Sequence, residues 1–208
     1  MIILGIDPGT ATTGYGVIKR IQPADRKKHP ENTAGFECIE YNVITTKPIH
    51  SAAYRLHQIH KELSRVIKIH KPSVIAVESL YFFKNLKTAL PVSQARGVIL
   101  MTAEKNKLEI HEFTPLQMKM IISGYGRADK KDVQNIIKEL LALEEIPKPD
   151  DAADALGLAI CCGWKITDTA SPRQKKEKVA EGIDNNLSIN IINKSPGGRG
   201  RKRVNLKN

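Results

Sequence analysis

The chain has 208 residues, 41% of them hydrophobic, and a formal net charge of +11. No apolar run approaches the roughly 20 residues that a transmembrane helix needs, which argues against a membrane protein. Three cysteines without a CxxC spacing argue against a disulfide framework, and the N-terminus lacks the features of a signal peptide. We therefore expect a cytoplasmic protein, and its positive charge favours a polyanionic partner such as a nucleic acid.

The N-terminal part of the chain predicts three strands. Residues 1–7 form a short apolar run that stops at a Pro-Gly turn, and residues 14–18 are its expected hairpin partner. A third strand is expected over residues 36–46. Residues 21–35, between the second and third strands, are mostly polar and contain two prolines, which predicts an exposed hairpin loop.

The next part of the chain predicts helices that alternate with strands, followed by three helices. Apolar residues at helical spacing, β-branched runs and capping residues mark these elements. We expect a helix over 56–67, a strand ending at Glu78, a helix over 86–105, a strand over 108–113, and helices beginning near Thr114, Asp129 and Asp150. This order predicts an α/β fold with a five-stranded mixed sheet flanked by helices.

The composition changes near residue 165. Residues 165–208 contain eleven Lys and Arg against four Asp and Glu, a net charge of +7, and include a Gly-Arg stretch at 197–203. Such a segment can bury little apolar surface. We therefore predict one folded domain over 1–164 and a basic, disordered tail over 165–208.

Four acids occupy positions that are typical of catalytic carboxylates. Asp7 and Glu78 each end an apolar strand, while Asp151 and Asp154 share one face at the start of the last helix. Strand ends and helix starts meet at the carboxyl edge of a sheet. Carboxylates that converge there need a cation, and oxygen ligands favour Mg²⁺ or Mn²⁺. Two such ions would suit phosphodiester hydrolysis.

Each acid also has a simpler interpretation when it is taken alone. Asp7 precedes Pro-Gly, where aspartate commonly forms a turn, and Asp151 could cap its helix or oppose the helix dipole. Glu78 is harder to explain in this way, because an uncompensated charge after a buried strand is costly. The spacing therefore leaves a metal-dependent nuclease and a purely structural role both open.

A series of short motifs stands in order along residues 3–156. They are ILGIDPGT, TGYG, AVESLYF, QARG, TPLQMK, GYGRADK and DAADAL. Together they resemble the RuvC family of bacterial Holliday-junction resolvases, which belongs to the ribonuclease H-like superfamily. The resemblance covers residues 1 to about 164 and implies a ribonuclease H-like nuclease domain that resolves four-way DNA junctions, by paired symmetric cuts, in recombination and repair.

The resemblance also implies the site residues. The catalytic, metal-binding acids would be Asp7, Glu78, Asp151 and Asp154, with Mg²⁺ as the cofactor, Mn²⁺ as a substitute and two ions per site. Lys119 would join them in catalysis, and the expected DNA-binding residues are Tyr81, Phe82, Lys84, Lys119, Arg127 and Lys130. The aromatic pair would stack on unpaired bases, although core packing is the simpler reading of Tyr81 and Phe82. For Lys119 and Lys130, the simpler interpretation is that they lie on solvated helix faces.

The expected partners follow from the same resemblance. Family members act as homodimers on junction DNA, since two symmetric cuts require two opposed sites, and they work with the RuvA–RuvB branch-migration motor. The helix around 94–97 is the expected dimer interface, although its small residues could equally pack on the sheet. The loop at 21–35 and the tail beyond 164 are longer than is usual in the family, which bears on DNA affinity and motor docking.

Three other classes of protein deserve comparison. The DPGT motif also resembles the first phosphate loop of actin-like ATPases and sugar kinases, but those need a longer chain and a second loop. A non-catalytic junction-binding protein would lack one of the four acids. A nuclease acting on RNA or RNA–DNA hybrids would share the chemistry and differ only in its binding face. The histidines show no ligand spacing with cysteine, which argues against zinc.

Overall fold

The computed structural model describes residues 1–28, 30–79 and 86–167, with backbone only for 86–88. The candidate DNA contacts Tyr81, Phe82 and Lys84 lie outside these ranges, as does nearly all of the predicted tail. Within the described ranges, no helix has both the length and the apolar character required to cross a membrane.

A five-stranded mixed sheet forms the centre of the fold, as predicted. Its strands are β1 (Ile2–Asp7), β2 (Thr12–Arg20), β3 (Phe36–Thr45), β4 (Val74–Glu78) and β5 (Glu109–Phe113), in the spatial order β3-β2-β1-β4-β5. The first three strands are antiparallel neighbours, whereas β4 runs parallel to both β1 and β5. Loops without an α-helix join the antiparallel strands, whereas an α-helix precedes each of the parallel strands β4 and β5.

In the described ranges, five α-helices cover the two faces of the sheet. They are α1 (Ala52–His70), α2 (Leu86–Lys105), α3 (Pro115–Ser123), α4 (Lys130–Leu141) and α5 (Asp150–Ile166). The predicted caps are confirmed for two of them: Thr114 and Gln117 form a capping box on α3, and the Asp129 side chain accepts from the Asp132 amide on α4. Both devices satisfy amide groups that the first helical turn leaves unpaired.

The core has one layer on each side of the sheet. Leu4, Ile6 and other alternate strand residues pack with α1 and α2, while Ile3, Ile18 and their neighbours pack with α3, α4 and α5. The alternation follows from the two-residue period of a strand. The sheet is therefore covered by helices on both faces, and its strands are held between two layers of the core.

The loop at 21–35 is only partly the exposed segment that its composition predicts. A 3₁₀ helix over Pro23–Lys28 is exposed, but Ile21 and Ala34 at the two ends are buried. The Trp164 indole N–H donates to the Ala34 carbonyl over 3.0 Å. The base of the loop is thereby attached to α5 and belongs to the folded domain.

Candidate active site

Two neighbouring parallel strands deliver the first two acids. Asp7 is the last residue of β1 and Glu78 the last of β4, and the two strands are in register through the preceding pair, Ile6 and Val77. Because parallel strands end at the same edge, the two carboxyl groups leave the sheet side by side. A hydrogen bond from Asp7 to Glu78 joins them.

Helix α5 brings the other two acids onto the same edge because glycines let it approach the sheet very closely. A Cβ placed on Gly14 would lie 2.0 Å from the Asp151 carbonyl oxygen, and one on Gly5 would lie 1.9 Å from the Ala155 oxygen. These distances are far below van der Waals contact, so only glycine fits. Gly5 and Gly14 thus set the position of Asp151 and Asp154 over Asp7.

The pKa values of the strand acids show that the four carboxyl groups lie close together. Burial, then repulsion from Glu78, Asp154 and Asp151, raises the pKa of Asp7 to about 8. Burial and Asp154 raise the pKa of Glu78 to about 7, against the lowering effect of the hydrogen bond from Asp7. Asp7 therefore remains largely protonated near neutral pH unless a cation joins the group.

A lysine supplies positive charge at one side of the acids. The Lys130 Nζ lies 3.2 Å from Asp154 Oδ2 and 3.4 Å from Asp150 Oδ2. Burial alone would lower the pKa of Lys130, but the two carboxylates outweigh it and the pKa is raised. Burial raises the pKa of Asp154 despite this partner, so one lysine does not neutralise the cluster.

The other two basic candidates are Lys119, which lies in α3, and Arg127, which lies on the segment that joins α3 to α4. The Lys119 Nζ donates to the Ala128 carbonyl oxygen over 2.9 Å, which attaches α3 to the residues just before Lys130. Ser123 holds the start of this segment through its bonds to the backbone of Lys119 and Tyr125. Arg127 is exposed on the segment between α3 and α4.

The donor set fits a divalent metal ion in its chemistry. Four carboxylates offer the oxygen ligands that Mg²⁺ and Mn²⁺ prefer, and their raised pKa values show that positive charge is lacking. In the described part of the chain, no group of three or more His, Cys, Asp or Glu side chains has the geometry of a metal site. Like charges at this edge favour the protonated carboxyl groups, and a bound cation would remove that cost and draw the carboxylates into a common coordination sphere.

The predicted interface helix is part of α2. Ala95 is fully buried against the sheet side of the core, and the Arg96 guanidinium donates to the Glu112 carboxylate on β5. A Cβ on Gly97 would meet nothing within 4 Å. The two sides of this helix thus differ: one packs on the sheet, and the other leaves open space at Gly97.

Sequence reasoning overlooked the residues that hold the turn after Asp7. The Thr13 hydroxyl donates to the Gly9 carbonyl over 2.6 Å, and the Thr46 hydroxyl donates to the Thr10 carbonyl, also over 2.6 Å. Thr13 stands in the TGYG motif, which is a signal that could have been used. Thr46 follows a strand 36 residues later in the chain, and no spacing rule connects it with the turn.

A five-stranded mixed sheet in this order, with acids at the carboxyl edge and on the helix that covers it, defines the ribonuclease H-like class of α/β proteins. A family model described as Crossover junction endodeoxyribonuclease RuvC matches residues 3–162. The chain belongs to the RuvC family.

Curated relatives agree with the family model. The Crossover junction endodeoxyribonuclease RuvC of Caldicellulosiruptor saccharolyticus is 47% identical over 161 residues, which cover 77% of this chain and 91% of the relative. The protein of the same name from Heliobacterium modesticaldum is 47% identical over 167 residues, with 80% and 96% covered. Because these relatives are covered almost completely, the similarity extends over the whole described domain.

Solved structures share the fold. A structure of T. thermophilus RuvC in complex with Holliday junction substrate superposes with a TM-score of 0.72 at 28% identity, covering 83% of this chain and 99% of that one. The yeast mitochondrial Holliday junction resolvase Ydc2 gives 0.52 at 13% identity, covering 76% of each chain, which supports the fold alone. The prediction of a ribonuclease H-like fold is confirmed.

Proposed function

We propose that this protein is a structure-specific endonuclease that resolves four-way DNA junctions by metal-dependent hydrolysis of phosphodiester bonds. The observation that carries the proposal is the convergence of Asp7, Glu78, Asp151 and Asp154 at one sheet edge in a chain of the RuvC family. Relatives at 47% identity bear the name of a crossover junction endodeoxyribonuclease, and a solved relative holds a Holliday junction.

The four acids are the proposed ligands of the cofactor, which we take to be Mg²⁺, replaceable by Mn²⁺, with two ions per site. Divalent ions bound there would activate water and offset the charge of the leaving oxygen. The chain's own contribution is to hold the carboxylates at a partly buried edge, where their repulsion favours cation binding. Of the two strand acids, Asp7 would gain more from a bound cation, because its pKa is raised further, to about 8.

Lys119 and Lys130 are proposed to act on the phosphate. Lys130 already lies 3.2 Å from Asp154, so its ammonium group stands where a negatively charged phosphate would approach the acids. Lys119 is held at the Ala128 carbonyl, two residues before Lys130. Preorganised cations of this kind stabilise the charge that develops as the bond breaks.

The binding face is proposed from the remaining candidates. Arg127 is exposed beside Lys130 and suits a phosphate contact, and Lys84 would add a second. Tyr81 and Phe82, three and four residues after Glu78, would stack on bases at the opened junction. A homodimer with α2 at its interface, cooperation with RuvA–RuvB and a cytoplasmic location complete the proposal.

A comparison of substrates tests this function. The purified protein is mixed, in Mg²⁺, with a four-way junction, a matched linear duplex and an RNA–DNA hybrid, and Asp7→Asn serves as the inactive control. We expect paired symmetric cuts in the junction and almost none in the other two substrates. Preferential cleavage of the hybrid would replace the proposal with a ribonuclease, and junction binding without cleavage would make the protein a non-catalytic binder.

A further inference from the structure

The turn between β1 and β2, residues 8–11, immediately follows Asp7 and is held from outside by Thr46. The Thr46 hydroxyl donates to the Thr10 carbonyl over 2.6 Å, and the Thr46 amide donates to the Ala11 carbonyl over 2.9 Å. Thr46 follows the last residue of β3, whose end is paired with the start of β2 through Thr45 and Thr12. One buried residue thus holds two successive carbonyls of the turn.

Arg55 extends this contact to α1. Its Nε donates to the Thr46 hydroxyl oxygen over 2.8 Å. Because the Thr46 hydroxyl gives its proton to Thr10, its oxygen is free to accept from Arg55, and a charged donor strengthens the next bond in such a chain. The result is a directed chain of hydrogen bonds from Arg55 through Thr46 to Thr10, three residues after Asp7.

The turn needs such a support for an electrostatic reason. Once Asp7 gives up its proton, as a metal ligand must, repulsion from Glu78, Asp151 and Asp154 tends to move it away from the sheet edge. The neighbouring strand β4 holds β1 only up to Ile6, so Asp7 keeps its place through its pairing with Gly14 of β2 and through the contacts of the turn that follows it. A loose turn would let Asp7 withdraw from the position in which it can share a cation with the other acids.

We propose that Arg55 is a positioning residue for Asp7, acting through Thr46 on the turn that follows it, with no contact of its own to the substrate. This inference rests on the proposed function, because it assigns Arg55 a part in holding the proposed metal ligand. Residues that orient ligands from outside the coordination shell typically change metal affinity or activity by about 10- to 100-fold when they are lost.

Four variants test the chain of contacts. Thr46→Val removes the hydroxyl at nearly constant volume, Thr46→Ser keeps it, and Arg55→Met removes the charged donor; the double variant combines Thr46→Val with Arg55→Met. Arg65→Met is the matched control, because Arg65 is an exposed residue of the same helix that forms a salt bridge with Glu62. Its further interactions are with Tyr15 and Glu40, neither of which belongs to the turn. Thermal unfolding shows first that each variant is folded.

Three quantities are then measured: the affinity of DNA-free protein for Mn²⁺ by calorimetry, the dissociation constant for the junction, and the rate of single-turnover cleavage. We expect Arg55→Met and Thr46→Val each to weaken Mn²⁺ binding and slow cleavage by about tenfold, with junction affinity unchanged within about twofold. The double variant should be no worse than Thr46→Val alone, because both act through one contact. Thr46→Ser and Arg65→Met should behave as the wild type.

Other outcomes overturn the inference. If Arg55→Met weakens only junction binding, Arg55 contacts DNA directly, and if the two losses add fully, the residues act separately. Should Thr46→Val fail to fold, Arg55→Met together with Arg55→Lys, which retains a donor and should recover part of the Mn²⁺ affinity, decides the question. Failure of the wild type to cut the junction would instead contradict the proposed function, and the Mn²⁺ measurement would still test the role of Arg55.

Discussion

Asp7 and Glu78 are acids whose pKa values, about 8 and about 7, lie far above those of exposed carboxyl groups. Burial is the largest cause for both, and repulsion from the α5 acids adds to it. Neither effect follows from the identity of the residue, because the same aspartate in an exposed Pro-Gly turn would titrate near pH 4. At the scale of single residues, the site is therefore a place where negative charge is costly until a cation arrives.

The metal-free protein should lose stability as the pH rises. Asp7 and Glu78 bind protons more tightly in the folded state than their ordinary values of 3.8 and 4.5 allow in the unfolded chain. Between about pH 4 and pH 8 the folded state thus carries more protons, and the free energy of unfolding falls across this window. Urea unfolding of the metal-free protein, in a chelator, at pH 5 to 8.5 measures this change in the free energy of unfolding. In a parallel sample with excess Mg²⁺, the loss of stability at pH 8 should be smaller.

The variant Asp7→Asn separates charge from shape at the same position. It should abolish Mg²⁺-dependent cleavage of a four-way junction while leaving junction binding intact, because the amide cannot replace a carboxylate ligand. In the metal-free protein it should also raise the free energy of unfolding at pH 8 by at least about 1 kcal/mol. Retained cleavage would contradict the four-carboxylate site, and an unchanged pH slope would contradict the assigned repulsion.

At the scale of elements, the decisive contact is that of α5 with β1 and β2. The helix is rich in alanine and glycine on the side that meets the sheet, and Gly5 and Gly14 offer no Cβ to keep it away. The backbone carbonyls of Asp151 and Ala155 occupy the space that a side chain would need. This close approach is what places two helix acids beside two strand acids.

Gly14→Ala should therefore displace the start of α5 and damage the site. The added Cβ would lie 2.0 Å from the Asp151 carbonyl oxygen, a backbone atom that cannot rotate away. We expect a loss of stability of at least about 1–3 kcal/mol together with weaker Mn²⁺ binding, measured by urea unfolding and calorimetry. Gly97→Ala is the control for stability alone, and its free energy of unfolding should be unchanged or slightly higher. Equal losses of stability in the two variants would contradict the explanation by close contact.

At the scale of the whole molecule, the distribution of charge matters most. Residues 165–208 carry +7 of the total of +11, and nearly all of them lie outside the described ranges. Deletion of residues 170–208 should weaken binding to non-specific duplex and flatten its dependence on salt, because fewer counterions are released from the DNA. Binding titrations at 50–200 mM salt measure this, and an unchanged slope would show that the tail does not contact DNA.

The sequence by itself determined the order and type of the elements. The apolar run before Asp7, the β-branched run before Glu78, and the Thr114 and Asp129 caps are local signals, and the structure contains the strands and helices that they predict. The four acids could likewise be selected, since their positions at strand ends and a helix start imply one edge. The metal-binding and catalytic roles of these acids, the boundary at 164 and the disordered tail remain predictions.

Only the tertiary structure decided how the site is held together. The Lys130–Asp154 pair, the approach of α5 to Gly14, and the path from Arg55 through Thr46 to Thr10 each join residues that are distant in the chain. The burial of the ends of the loop at 21–35 also depends on distant residues, because the Trp164 indole N–H donates to the Ala34 carbonyl. Local propensity acts over a few residues, whereas burial and charge repulsion depend on which elements pack together, and packing is a property of the folded chain alone.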